Sequence, residues 1–139
     1  MGIRKCRKPL KVKKEILNAI LCEAKRNSIE ICGLLFGTIS KESFNVLSYA
    51  LIRNVENSPI SFKMDPREMF SEIIKHRNKS MDIVGLFHSH MTSVAPSTKD
   101  LYYMRLWNVP WLIVDRRGNF SAYIIENDEL CLVETIVVE

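Results

Sequence analysis

Short apolar runs, each cut off by turn-forming or polar residues, set the limits on what this chain can build. Residues 31–38 (ICGLLFGT), 82–87 (DIVGLF) and 111–115 (WLIVD) are the clearest of them. Runs of this length suit buried strands. None approaches the roughly 18 apolar residues that a membrane-spanning helix needs. With 139 residues, 47% of them hydrophobic, the chain is long enough for one domain with a real core and short for two.

Two stretches switch to a helical period. Over 13–26, Ile16, Leu17, Ile20, Leu21 and Ala24 mark one apolar face. A second helix begins at Asp65-Pro66-Arg67-Glu68, with Asp65 as cap, Pro66 in the first position and Glu68 completing a capping box. Met69, Phe70, Ile73 and Ile74 carry it to about residue 79. Ser97 caps a third helix running to about Trp107. Strands are expected at 31–38, 43–52, 82–87, 111–115, 120–126 and 130–138, with a turn at Arg116-Arg117-Gly118-Asn119. This order predicts an α/β sandwich around one mixed sheet.

The formal charge of +4 is unevenly placed. Residues 1–14 hold seven basic side chains and no acidic one, whereas the rest of the chain holds 13 basic and 16 acidic. We read residues 1–11 as a solvated basic arm and 12–139 as the domain. A nucleic-acid-binding domain carries basic residues across a face, so nucleic acid is not an expected partner. The basic start lacks an apolar segment behind it and does not read as an export signal. The cytoplasm is the expected location. Cys6, Cys22, Cys32 and Cys131 form no C-x-x-C pair and are expected as free thiols, Cys22 and Cys32 in the core.

Chemistry concentrates after the 82–87 run. His88 and His90, two of only three histidines, follow it directly. Residues i and i+2 of an extended segment point to the same side, so both imidazoles can grip one ion. Asp100, in the first turn of the third helix, can add a carboxylate. Two histidines and one carboxylate leave a tetrahedral position open, as in catalytic zinc sites. No acidic residue lies between His88 and Asp100, so a general base must come from elsewhere, and Glu30, just before the apolar 31–38 run, is the best candidate. His76, among Lys75, Arg77 and Lys79, reads as solvated surface. Tyr102, Tyr103 and Trp107 read as core or interface, and Trp111 as core.

The segments Glu30-Ile31-Cys32-Gly33-Leu34-Leu35, Gly85-Leu86-Phe87-His88-Ser89-His90 and Pro96-Ser97-Thr98-Lys99-Asp100 resemble the JAMM (MPN+) metalloproteases, whose motif is a distant Glu, His-x-His, a loop and Ser-x-x-Asp. Asn54 to Pro66, with Pro59, Phe62 and Asp65, is similar to the family's small prokaryotic members. The resemblance spans about residues 12–137. It departs from the pattern at Met91, where the family has Pro, and in a His90–Ser97 loop that is one residue shorter.

The resemblance implies a cytidine-deaminase-like α/β sandwich, a mixed sheet flanked by helices. It implies one zinc ion per chain on His88, His90 and Asp100. Glu30 would activate the zinc-bound water, and Ser97 would stabilise the oxyanion. The implied reaction is cleavage after the C-terminus of a ubiquitin-like modifier, releasing it from conjugates. We expect the modifier's tail to add as a strand along residues 54–64, with Ile60 and Phe62 touching it. Alternatives are trimming of a sulfur-carrier protein's tail, a non-catalytic MPN scaffold, and a DNA-associated protein of the RadC type. The H-x-E and P-C-x-x-C signature of nucleobase deaminases is absent. The expected partner is a ubiquitin-like protein or its conjugates, and a homodimer is left open.

Overall fold

The structure is a computed structural model that describes residues 3–139. The helical period at the start of the domain yields α1 (Lys14–Arg26), which buries Ile16, Leu17, Ile20 and Ala24. Its end is closed by Asn27, whose Nδ2 donates to the Glu23 carbonyl at 2.7 Å. The two glycine-bearing apolar runs become β3 (Cys32–Ile39) and β5 (Asp82–Ser89), antiparallel neighbours at the centre of the sheet. Beside them lie β4 (Phe44–Ile52), paired with β3, and β6 (Trp111–Val114), parallel to β5. The turn at 116–119 is held by Asp115, whose Oδ1 accepts from the N–H groups of Arg117 and Asn119. It leads into β7 (Phe120–Glu126), then β8 (Glu129–Val133).

Gly33 shows why a glycine stands in β3. A Cβ there would run into the Ala50 carbonyl of β4 and the Phe87 ring of β5. Gly33→Ala therefore forces backbone apart in the central sheet. We expect a loss of about 1–3 kcal/mol in unfolding free energy, read as a lowered urea midpoint.

Strand alternation sends side chains to two cores. Leu35, Val84, Phe87, Leu112 and Val114 pack with α1. Leu34, Phe36, Leu86, Trp111 and Ile113 pack on the other face, against Met69 and Ile73 of α2 (Pro66–Arg77) and Met104 of α3 (Thr98–Met104). The result is a mixed α/β fold with helices on both faces. No helix among the described residues is long and apolar enough to cross a membrane.

Several expectations are corrected. The segment read as a solvated arm is tied into the sheet by β1 (Arg4–Lys5), parallel to β8, and by β2 (Leu10–Lys13), parallel to β4. Leu10 and Val12 are core, while Lys11 is exposed. The expected strand 130–138 is two strands, β8 and β9 (Thr135–Val138), broken at Glu134 because they pair with different partners, β7 and β2. These two lie far apart in the sheet order, which runs β1-β8-β7-β6-β5-β3-β4-β2-β9. A single residue joins strands at opposite ends of that order, so the sheet must curl until its ends adjoin. The third helix stops at Met104. Asp65 does cap α2, accepting from Arg67 N–H at 2.9 Å, but Glu68 closes no box: its Oε1 accepts from Arg53 N–H at 2.8 Å. His76 is buried, stacked on Phe36 with ring centroids 3.8 Å apart and with Nε2 3.0 Å from Ser48 Oγ. Cys22 is exposed rather than core, whereas Cys32 is buried. Tyr102 and Tyr103 are exposed.

Candidate active site

β5 runs two residues past its expected end and carries His88 and Ser89 with it; His90 follows at once. Their alternation puts both imidazoles on the α3 side. His88 is wholly buried, its ring stacked on Phe62 (centroids 4.5 Å apart) and edge-on to Trp111 (5.5 Å). Its Nδ1 has no hydrogen-bond partner among the described residues, so on that side aromatic packing holds the ring. The Nδ1 of His90 faces the Ser93 carbonyl at 3.1 Å. A proton donated there leaves Nε2 with a free lone pair in the neutral ring.

Asp100 arrives through helix capping. Ser97 Oγ accepts from Asp100 N–H at 3.1 Å, and Asp100 Oδ2 accepts from Ser97 N–H at 2.9 Å, a full capping box. The same carboxylate places Oδ1 3.2 Å from His88 Nε2 and Oδ2 3.0 Å from His90 Nε2. The two Nε2 atoms are 3.1 Å apart. The Ser-x-x-Asp spacing therefore serves as cap and as cluster at once.

Glu30 sits opposite, 4% exposed. One of its carboxylate oxygens lies within 4.8 Å of the ring nitrogens of His88 and His90. Its backbone is pinned from three sides. Glu30 N–H donates to the Ser58 carbonyl at 2.9 Å, its carbonyl accepts from Asn54 Nδ2 at 3.0 Å, and the next N–H, of Ile31, donates to Ser89 Oγ at 2.9 Å.

Asn54 and Ser89 were not singled out from the sequence. Asn54 uses its whole amide: Nδ2 also donates to the Ser61 carbonyl, and Oδ1 accepts from the N–H groups of Glu56 and Lys63. It thereby folds residues 54–64 into a loop beside Glu30. Lys99 Nζ meets Glu56 Oε1 at 3.1 Å and joins that loop to the first turn of α3. The available signals were the Asn in a polar turn sequence and a small hydroxyl residue between the two histidines.

The electrostatics are uneven. Burial pushes the Glu30 carboxyl up to about 7, with the nearby His90 opposing and Asp100 adding to the shift. Burial holds His88 below the ordinary imidazole value, outweighing the hydrogen bond to Asp100. For His90, burial is outweighed by the hydrogen bond and charge of Asp100, and the net shift is upward. Burial would raise the Asp100 carboxyl, but its hydrogen bonds to His88 and His90 hold it far below the usual carboxylate range.

The donor set suits a metal ion. A tetrahedron with bonds of 2.0–2.1 Å has edges of about 3.3 Å. The two Nε2 atoms stand 3.1 Å apart, and each lies 3.0–3.2 Å from a different Asp100 oxygen, separations close to such an edge. Of the residues expected at the site, Glu30, His88, His90 and Asp100 come together, with Ser97 at the cap. Phe62 joins as a wall on His88, whereas Ile60 stands out from the loop, 83% exposed.

A curled mixed sheet that gathers two imidazoles and two carboxylates into one buried cluster has the outline of a JAB-type metallohydrolase. Residues 13–128 match the prokaryotic homologs of the JAB domain, and the chain belongs to that family. It is 42% identical over 124 residues to the desampylase of Pyrococcus furiosus, covering 88% of this chain and 86% of that protein. Its fold is similar to the solution structure of a protein from Desulfitobacterium hafniense, with a TM-score of 0.83 and 26% identity over 94% of this chain and 93% of that one. A protein from Salinibacter ruber shares the fold at a TM-score of 0.69 and 21% identity, over 93% and 92% of the two chains. Family membership makes the protein a hydrolase of the JAMM type.

Proposed function

We propose that this protein is a zinc-dependent isopeptidase that cleaves after the C-terminus of a ubiquitin-like modifier. The observation that carries the reading is the cluster of His88, His90 and Asp100, whose two Nε2 atoms lie 3.1 Å apart and each within 3.2 Å of an Asp100 oxygen, beside the buried acid Glu30. That the Pyrococcus furiosus relative is a desampylase supports the substrate class. Helices on both faces of the mixed sheet support a cytidine-deaminase-like sandwich.

His88, His90 and Asp100 would hold one zinc ion, and when bound the metal supplies a Lewis acid that makes water acidic near neutral pH. Glu30 takes a proton from the attacking water on a carboxylate oxygen and returns it to the leaving amine nitrogen. Burial raises this carboxyl above the ordinary range in the metal-free site, which makes it a stronger proton acceptor than an exposed carboxylate. Ser97 Oγ accepts from Asp100 N–H, so the hydroxyl proton stays free to donate to the developing oxyanion.

The modifier's tail runs extended along residues 54–64. Ile60 offers an apolar contact on the rim of that loop. Phe62 lines an apolar cavity of about 170 Å³ with Met64, Met69, Tyr103, Trp107 and Trp111. Phe62 also packs on His88, so its replacement would disturb the metal cluster as well. Ile60 gives the clean test. Ile60→Asp should raise KM for a ubiquitin-like isopeptide substrate by about tenfold, the loss of one well-packed apolar contact, with kcat and zinc content unchanged. Unaltered kinetics would remove the loop from the substrate path.

A further inference from the structure

We propose that Cys6 and Cys131 form a disulfide that fastens the first strand to the sheet edge, closed by exchange with a small-molecule disulfide. The two thiols come from opposite ends of the sequence and converge on β8. Cys6 follows β1, and its N–H donates to the Leu132 carbonyl at 2.8 Å. Cys6 Sγ and Cys131 Sγ lie within 4.8 Å of one another, and both face Glu126 Oε1, at 3.5 and 3.9 Å. Arg4 Nη2 donates to Cys131 Sγ at 2.9 Å. β1 pairs through only two residues, so the strand ladder at this end of the chain is short. The remaining cysteines do not compete: Cys32 is buried against the Ile52 carbonyl, and Cys22 is exposed on α1.

The same sulfurs and Glu126 could attract a soft cation, but Arg4 already stands among them. Its guanidinium touches Cys131 and Glu126, and its Nε meets Glu129 Oε2 at 3.2 Å. A metal would have to expel that charge. A disulfide leaves it paired with the two glutamates.

The chemistry balances as two exchanges. Cys6, the half-buried and more accessible thiol, gives its proton to solvent and attacks a small disulfide RSSR. A Cys6–S–S–R bond forms and one RS⁻ leaves. Burial pushes the Cys6 thiol up to about 12, with Cys131 and Glu126 adding to the shift, so little of it is thiolate and this capture is slow. Cys131 then loses its proton, its sulfur attacks Cys6 Sγ, and the second RS⁻ leaves. Two thiols are oxidised, RSSR is reduced, and the released protons reappear on two RSH.

The test uses the full chain carrying Cys22→Ser, which prevents cross-linking between molecules. After incubation with oxidised glutathione, Cys32 should be the only thiol titrated in denaturant. A non-reducing peptide map should join the Cys6 and Cys131 peptides. The Tm should rise by about 5–10 °C and fall back on reduction, since the bond closes a loop of more than 100 residues. Adding Cys6→Ser, which keeps nearly the same size at a half-buried position, should abolish the shift. Adding Cys131→Ala should leave a glutathione adduct on Cys6 that does not close. Retention of both thiols after prolonged oxidation would overturn the proposal. So would a stable adduct on Cys6 in the protein that keeps Cys131. Binding of a second zinc ion that Cys6→Ser removes would make the pair a metal site instead.

Discussion

Glu30→Gln is expected to lower kcat by about 10²–10⁴-fold while zinc content stays at the parent level. Gln keeps the shape of Glu and its backbone tethers to Ser58 and Asn54, but it accepts no proton. The same substitution should make the metal-free fold more stable at pH 8. The Glu30 carboxyl sits at about 7 in the fold against an ordinary 4.5, because burial penalises its charge. Between those values the folded state binds more protons than the unfolded one, so Glu30 makes stability fall as pH rises from about 4.5 to 7, and the loss persists above. The shift corresponds to about 3 kcal/mol. Gln removes this contribution, and the difference between mutant and parent should be near zero at pH 4 and largest at pH 8. Denaturant unfolding with chelator present measures it. A mutant that keeps full activity would show that another group moves the proton.

The second large effect concerns the metal. His90→Ala should weaken zinc binding by more than about 100-fold, beyond what loss of a merely supporting hydrogen bond costs. The fold should tolerate it, because the His90 ring lies at the rim and its Nδ1 reaches only the nearby Ser93 carbonyl. Asp100→Ala is the informative contrast. It removes a donor and also opens the capping box of α3, leaving Ser97 N–H without its partner while the Ser97 Oγ cap on the Asp100 N–H stays, which adds about 1 kcal/mol of instability. Metal content and the urea midpoint, measured together, separate the two. Parent-level zinc in His90→Ala would remove His90 from the ligand set.

Much of the site was legible because its spacing is local. His88 and His90 share a side by strand alternation, and Ser97 and Asp100 share a helix turn. Glu30 could be nominated from its place before a buried strand. What escaped was set by partners far away in the sequence. His76 looked solvated among lysines and arginines, yet Phe36 and Ser48 claim its ring from the sheet. Glu68 had the capping-box spacing, but Arg53 N–H was the better donor to satisfy. Leu10 and Val12 alternate with lysines in the manner of a half-buried strand, and the surrounding basic charge hid that pattern. The break at Glu134 follows from two different strand partners, which no window of local sequence reveals.

The curled sheet also dictates an order of assembly. β2 lies between β4 and β9. One neighbour is available early in synthesis; the other, Thr135–Val138, is made only after every catalytic candidate. Until then β2 has an open side. Pairings across such sequence distances are slow to form, because the loop between them must close first. The growing chain therefore holds its His, Glu and Asp side chains before the last strand of the sheet that supports them can pair. Completion of the sheet is a late, cooperative event, and a chaperone that shields β2 in the interval would act on folding yield without touching the active site.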